Sequence, residues 1–356
     1  MLRTKLLFIS RAYPPVVGGI ERQNYELATH LANLADVTLI VNRHGKRFLP
    51  LFLPWAIFRS LWLSRAHDVV LLGDGVLGLV AWILKKFTNT PVACILHGLD
   101  ITYPAPIYQY LWVRHWIPSA DRFFPVSRET RRQAIKKGIS ADRCLSIPNG
   151  VDPNSFESDV QRRELERLLN RPLAGRRLLL TVGRLIRRKG VAWFVDQVLP
   201  RLGREVLYLI VGDGPERNTI AAIIDHHELR EQALLLGRVE ENVVRKLLGG
   251  VDLFIQPNIL VEGDMEGFGL VVLEASASGT PVIASRLEGL MDAITEGKNG
   301  VLVTPGSVEE FLTVIQDLLE DELARRRMGE SAKALMKSEY SWSTIADHYY
   351  RACLEL

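Results

Sequence analysis

Two carboxylates, Glu266 and Glu274, stand eight positions apart and enclose Gly267, Phe268 and Gly269. Glycines let a ligand come close to the backbone, and the unpaired amides of a helix start favour an anion such as phosphate. If the segment opens a helix, eight residues rise about 12 Å. That interval suits the two ends of an extended ligand rather than two acids acting on one bond. The plainer alternative is a loop entering a core helix with incidental acids. Against it, Glu274 falls inside the apolar run 270–277, where an unpaired carboxylate is costly. A second segment sets Gly183, Arg184, Arg187, Arg188 and Lys189 between a strand and a helix. Arg187 and Arg188 read as a solvated basic loop, Arg184 and Lys189 as phosphate ligands at a strand terminus.

Weaker signals accompany these. Gly18 and Gly19 follow the first strand and open a helix, which makes either a phosphate cradle or a plain tight turn. His97 comes directly after an apolar strand, with Gly98, Leu99 and Asp100 behind it. It therefore stands at the carboxyl edge of a sheet; the alternative is a histidine satisfied by backbone. The strings Pro148-Asn149-Gly150, Gly212-Asp213-Gly214 and Gly237-Arg238-Val239 fit βα turns and are ambiguous between turn chemistry and ligand contact. Asp264-Met265-Glu266 comes nearest to a metal-binding acidic pair and reads as non-metal. There is no Asp-x-Asp, His/Cys cluster, Walker A or Gly-x-Ser-x-Gly. Arg184, Lys189 and helix amides can neutralise phosphate, so neither metal nor cofactor is expected.

These residues must be held by a scaffold, and the chain alternates short apolar strands with helical periodicity throughout. Strands are expected at 5–10, 36–41, 69–72, 92–96 and 122–126, then at 178–182, 206–211, 233–236, 253–256, 281–284 and 301–303. Runs that are apolar without alternation are buried on both faces, as in a parallel sheet. The order predicts an α/β chain of two Rossmann-like, doubly wound domains facing a central cleft. The expected domains are 1–165 and 166–340. A helix over 341–356, apolar at Trp342, Ile345, Ala346, Tyr349, Tyr350 and Cys353, is expected to cross back to the first domain.

Composition bounds the rest. The chain has 356 residues, 47% apolar and 24% charged, which excludes disorder and disulfide-stapled scaffolds. Its three cysteines form no CxxC pair, and a reducing cytoplasm is the expected compartment. The opening residues, Met1 to Lys5 and the short apolar run after them, read as a strand and not as a secretion signal. Residues 1–150 hold 19 Lys and Arg against 9 Asp and Glu, a net of +10, whereas residues 151–356 hold 25 against 32, a net of −7. A basic first half suits anionic lipid, a phosphorylated substrate or nucleic acid, and no nucleic-acid signature is present.

Together these strings resemble a family 4 glycosyltransferase of the GT-B fold, retaining, with the Glu-x7-Glu motif. The likeness runs over nearly the whole chain and is most specific from Pro257 to Gly269. It implies a hexosyltransferase-type enzyme with a sugar nucleotide as donor, and no metal. By resemblance, Glu274 binds the ribose and Glu266 the donor sugar, with the amides of Gly267, Phe268 and Gly269 beside it. Arg184 and Lys189 grip the diphosphate, Gly18 and Gly19 approach it, His97 sits by the reacting sugar, and Arg238 and Val239 border the base. Asp100 and Asn149 are the acceptor-side candidates. One stretch departs: residues 286–292, Arg-Leu-Glu-Gly-Leu-Met-Asp, stand where many relatives have a glycine-rich turn and Pro-Glu.

The resemblance implies front-face attack, with the leaving phosphate taking the acceptor's proton and His97 assisting by hydrogen bonding. It also implies an acceptor that is a glycan, a lipid-linked molecule or a small molecule, in cell-surface polysaccharide or glycolipid synthesis. Two other functions suit the architecture: a sugar-nucleotide 2-epimerase, or a non-catalytic sugar-nucleotide sensor. A last segment, Phe48 to Arg65, interleaves Phe52, Trp55, Phe58 and Trp62 with Arg59 and Arg65. It is either an ordinary core helix or an interfacial one on the inner face of an anionic membrane.

Overall fold

The structure, a computed structural model, describes residues 3–16, 18–156 and 160–356. Met1, Leu2, Val17 and residues 157–159 lie outside the described residues. The chain divides into two compact units. Unit 1 comprises Met1–Gly150, Gly263–Phe268 and Trp342–Leu356; unit 2 comprises Val151–Glu262 and Gly269–Ser341. Residues 151–165, assigned by sequence to the first domain, thus lie in unit 2. The cause is Leu165, fully buried on the helix Arg162–Leu169, which packs on the helix Glu241–Gly250.

Unit 1 is built on a parallel sheet of β1 (Lys5–Ser10), β2 (Asp36–Val41), β3 (Val69–Leu72), β4 (Val92–Leu96) and β5 (Arg122–Pro125), in the order β2-β1-β3-β4-β5. β3 and β4 are buried at every residue, as their unbroken apolar sequences require. Helix α1 (Gly19–Leu34) packs against the helix Trp342–Leu354. That helix buries Trp342, Ile345, Ala346, Tyr349 and Cys353, and Tyr349 meets Phe124 of β5 edge-on at 5.2 Å. Tyr350, expected on the same face, is half-buried, with its hydroxyl 3.2 Å from Thr4 Oγ1. Helices α2 (Leu49–Leu63) and α3 (Gly78–Phe87) cover a cluster of Leu7, Ile9, Val70 and Leu72 with Phe52, Ala56, Ala81 and Leu84. A 3₁₀ turn, Gly75–Leu77, leads into α3, and there Asp74 accepts the Val76 N–H at 2.9 Å.

Unit 2 carries a second parallel sheet: β6 (Arg177–Val182), β7 (Val206–Val211), β8 (Ala233–Gly237), β9 (Leu253–Gln256), β10 (Val282–Ser285) and β11 (Gly300–Val303), ordered β11-β10-β9-β6-β7-β8. Its core gathers Leu179, Phe194, Tyr208, Ile210, Phe311 and Ile315. Both sheets are doubly wound. Strand order reverses between β1 and β3 in unit 1 and between β6 and β9 in unit 2. Ligands of such sheets bind outside the carboxyl ends of the strands at that reversal.

Candidate functional site

In unit 1 the reversal is spanned by an ion pair. Arg11 follows β1 and Asp74 follows β3, with Arg11 Nε 2.7 Å from the Asp74 carboxylate, whose side chain is fully buried. Burial pulls the guanidinium pKa down, but the Asp74 charge outweighs it and leaves Arg11 above its ordinary value. A buried charge persists only when paired in this way. Neither residue was singled out from sequence; the available signal was a charge standing one or two residues past a fully apolar strand.

β4 ends at His97, and its turn is tied down by Asp100. The His97 N–H donates to Asp100 Oδ1 and Oδ2 at 3.0 and 3.1 Å, and the Gly75 N–H donates to Oδ2 at 2.9 Å. Burial pushes the Asp100 carboxyl above its usual range, against the opposing pull of His97 and these donors. Asp100, read from sequence as facing an acceptor, is therefore buried and engaged with backbone. The ring Nε2 lies 2.9 Å from the Gly73 carbonyl. A carbonyl only accepts, so Nε2 carries a hydrogen and donates it, which leaves Nδ1 as the one ring nitrogen able to accept. Asn149 is also buried, and its Oδ1 has no hydrogen-bond partner among the described residues.

The segment Gly263–Phe268 belongs to this same unit. Met265, Glu266 and Phe268 are buried. A Cβ on Gly267 would stand 2.2 Å from the His97 carbonyl oxygen, so only glycine allows the Glu266 segment to lie against His97. The structure thus joins two strings that are far apart in sequence.

Glu266 and Glu274 do not share a helix, contrary to the sequence reading. Gly269 takes a left-handed φ of +90° and caps the helix Leu270–Ala277, which holds Glu274 half-buried. Glu266 precedes that cap in irregular chain, so the helical rise between the two acids does not apply. Glu274 lies in unit 2 and Glu266 in unit 1.

The carboxyl edge of unit 2 is lined by glycine. A Cβ on Gly212 would stand 1.8 Å from the Gly183 carbonyl oxygen, and one on Gly190, at φ +66°, would stand 1.8 Å from that of Pro257. The Ile259 N–H donates to the Arg188 carbonyl at 2.9 Å. The loop after β6 therefore closes onto the end of β9 at the strand reversal. On it Lys189 is buried and Arg184 exposed. Arg238 follows β8, largely exposed, with Nε 3.8 Å from the Asp213 carboxylate; Val239 is half-buried. Past β10, Arg286 pairs with Glu296 at 2.9 Å and Glu288 holds a φ of +49°, so this turn is built without a glycine at its strained position.

Gly18 is extended and precedes α1, whose cap has no side-chain hydrogen bond; Gly19 is the exposed first residue of the helix. Among the described residues, no group of three or more His, Cys, Asp or Glu side chains is placed to hold a metal ion.

Two doubly wound units, each with polar groups gathered at the carboxyl ends of its strands, make the GT-B glycosyltransferase fold. The chain of the HepE protein of Anabaena, solved with UDP-glucose, matches 99% of this chain with 100% of its own, at a TM-score of 0.79 and 21% identity. The description "Glycosyltransferase Family 4" matches residues 17–155 and "Glycosyl transferases group 1" matches residues 166–335. This chain belongs to the family 4 glycosyltransferases. Among similar proteins, an alpha-D-kanosaminyltransferase of Streptomyces kanamyceticus is 24% identical over 77% of this chain and 73% of its own. A GDP-mannose-dependent phosphatidylinositol monomannoside mannosyltransferase of Mycolicibacterium smegmatis is 26% identical over 95% of each.

Proposed function

We propose that this glycosyltransferase moves a hexosyl group from a nucleoside-diphosphate sugar to an acceptor hydroxyl with retention of configuration and without a metal. The observation that carries the reading is the placing of the buried Glu266 segment against His97 in unit 1, with Glu274 and Lys189 on the second unit. It supports giving Glu266 and His97 to the transferred sugar, and Glu274 and Lys189 to the nucleotide. Glu274 takes the ribose, Arg184 and Lys189 the diphosphate, and Arg238 and Val239 the border of the base. Gly18 and Gly19 bring backbone toward the diphosphate. Glu266 and the amides of Gly267, Phe268 and Gly269 hold sugar hydroxyls, and His97 accepts one through Nδ1.

Chemistry follows from charge. The leaving diphosphate gains negative charge, which Lys189, Arg184 and backbone amides stabilise. That phosphate then takes the proton of the acceptor hydroxyl as it attacks on the same face. The acceptor belongs to cell-surface polysaccharide or glycolipid synthesis, reached from the cytoplasm.

A panel of UDP, GDP and ADP sugars tests this by thermal shift, since a donor at 100 times its Kd stabilises the fold by about 2.7 kcal/mol. Product anomers read by NMR, with and without EDTA, test retention and metal independence. An inverted product, or activity lost to EDTA and restored by magnesium, overturns the mechanism. Turnover to an epimeric sugar without acceptor replaces the transferase reading with an epimerase.

A further inference from the structure

Helix α2 has two apolar faces and only one of them is used. Phe52, Ala56 and Ser60, four residues apart, are buried. On the outer side Leu51, Trp55, Phe58 and Trp62 are 72%, 48%, 72% and 69% exposed. Their spacings of four, three and four put them in one stripe along the helix. Single exposed apolar residues are ordinary, but a contiguous row of two tryptophans, a phenylalanine and a leucine marks a surface that something covers.

Charge says what covers it. Residues 37–67 contain Arg43, Lys46, Arg47, Arg59 and Arg65 and no Asp or Glu at all. Lys46, Arg47 and Arg65 are exposed, and the Arg59 guanidinium lies 5.5 Å from the Trp62 ring centroid. Tryptophan prefers the boundary between headgroups and acyl chains, and bases beside it meet anionic headgroups. A protein partner would need acids matched to these bases, whereas an anionic membrane supplies them everywhere along the stripe. The helix does not span: it has 15 residues, its inner face is committed to the core, and among the described residues no helix is long and apolar enough to cross a membrane.

We infer that α2 is a docking surface for anionic lipid, lying in the membrane plane with Trp55, Phe58 and Trp62 inserted and Arg59, Arg65, Lys46 and Arg47 on headgroups. The inference names a partner surface for the proposed transferase. It needs neither donor nor acceptor, so it stands or falls apart from that reaction.

The test is sedimentation of the whole chain, without sugar nucleotide, with phosphatidylcholine vesicles containing or lacking about 30 mol% phosphatidylglycerol. Binding is expected only to the anionic vesicles at about 50 mM salt, and is expected to fall at least tenfold at about 500 mM. Lys46→Glu/Arg47→Glu/Arg59→Glu is expected to weaken it by about fivefold or more per charge reversed. Trp55→Ser/Trp62→Ser is expected to abolish it while leaving the melting temperature and any nucleotide-induced thermal shift unchanged, because both side chains are exposed. Wild-type protein left in the supernatant at low salt overturns the inference. So does undiminished binding by the double-serine variant. A dimer in light scattering that the same variant dissolves assigns the stripe to a second copy of the chain instead.

Discussion

At the carboxyl edge of unit 1, charged side chains are buried and paired: Arg11 with Asp74, and Asp100 with the amides around His97. At the matching edge of unit 2, glycines let backbone touch backbone, and the arginines stand in solvent. The first arrangement fixes one ring in one orientation and tautomer. The second gathers backbone amides and cationic side chains at one sheet edge, a surface suited to an anion. A rigid polar cluster suits a group that must act at one atom; a glycine cradle suits a diphosphate, whose charge is spread over many oxygens.

Stability is where the contrast breaks most easily. Arg11→Met leaves Asp74 buried without its counter-charge, which is expected to cost about 3–5 kcal/mol. Adding Asp74→Leu is expected to recover part of that in urea unfolding. An additive double variant would mean that the pair is not coupled. Next come the rates. Lys189→Ala and His97→Ala are each expected to lower kcat by about 10²–10³-fold, the effect of losing one electrostatic contact to the transition state. Only Lys189→Ala should also weaken nucleoside diphosphate binding in calorimetry. Equal weakening by His97→Ala would dissolve the division between the two edges.

Smaller effects sharpen the picture. Gly190→Ala puts a methyl against the Pro257 carbonyl at a left-handed residue. Conformational strain alone predicts about 1–3 kcal/mol, visible as a lower melting temperature and weaker nucleotide binding. Glu274→Gln is expected to raise the donor KM about tenfold at unchanged kcat, since ribose contacts are the same in ground and transition states. A fall in kcat instead would place Glu274 by the reacting sugar. The smallest effect is that of Arg238→Ala, whose exposed contact to Asp213 is worth under about 1 kcal/mol, so its melting temperature should stay near wild type.

Much of this was legible in the sequence. Strands such as Val92–Leu96 and Val206–Val211 announced themselves because unalternated apolar runs of that length fit little else. Gly183, Arg184 and Lys189 were visible as a loop between strand and helix. Hidden was anything decided by tertiary neighbours. Nothing local tells that Gly263–Phe268 joins the first unit while Gly269 onward joins the second. Asp100 carried no mark of whether it would face solvent or its own backbone. In α2 both faces are apolar, so periodicity does not say that Phe52 goes inward and Phe58 outward; that choice is made by the sheet it covers.

The helix Trp342–Leu354 belongs to unit 1 and packs on α1, yet residues 151–341, of which only Gly263–Phe268 belong to that unit, come between it and the rest of unit 1. On a ribosome this orders events in time. At about 5–20 residues per second, α1 waits on the order of 15–65 s for the helix that covers it. Unit 2 is nearly continuous in sequence and can close meanwhile. The half that is made first is therefore finished last, and in the interval it carries both the bare side of α1 and the apolar stripe of α2. A chain released after residue 341 would present that half to chaperones, while holding every residue of its partner unit.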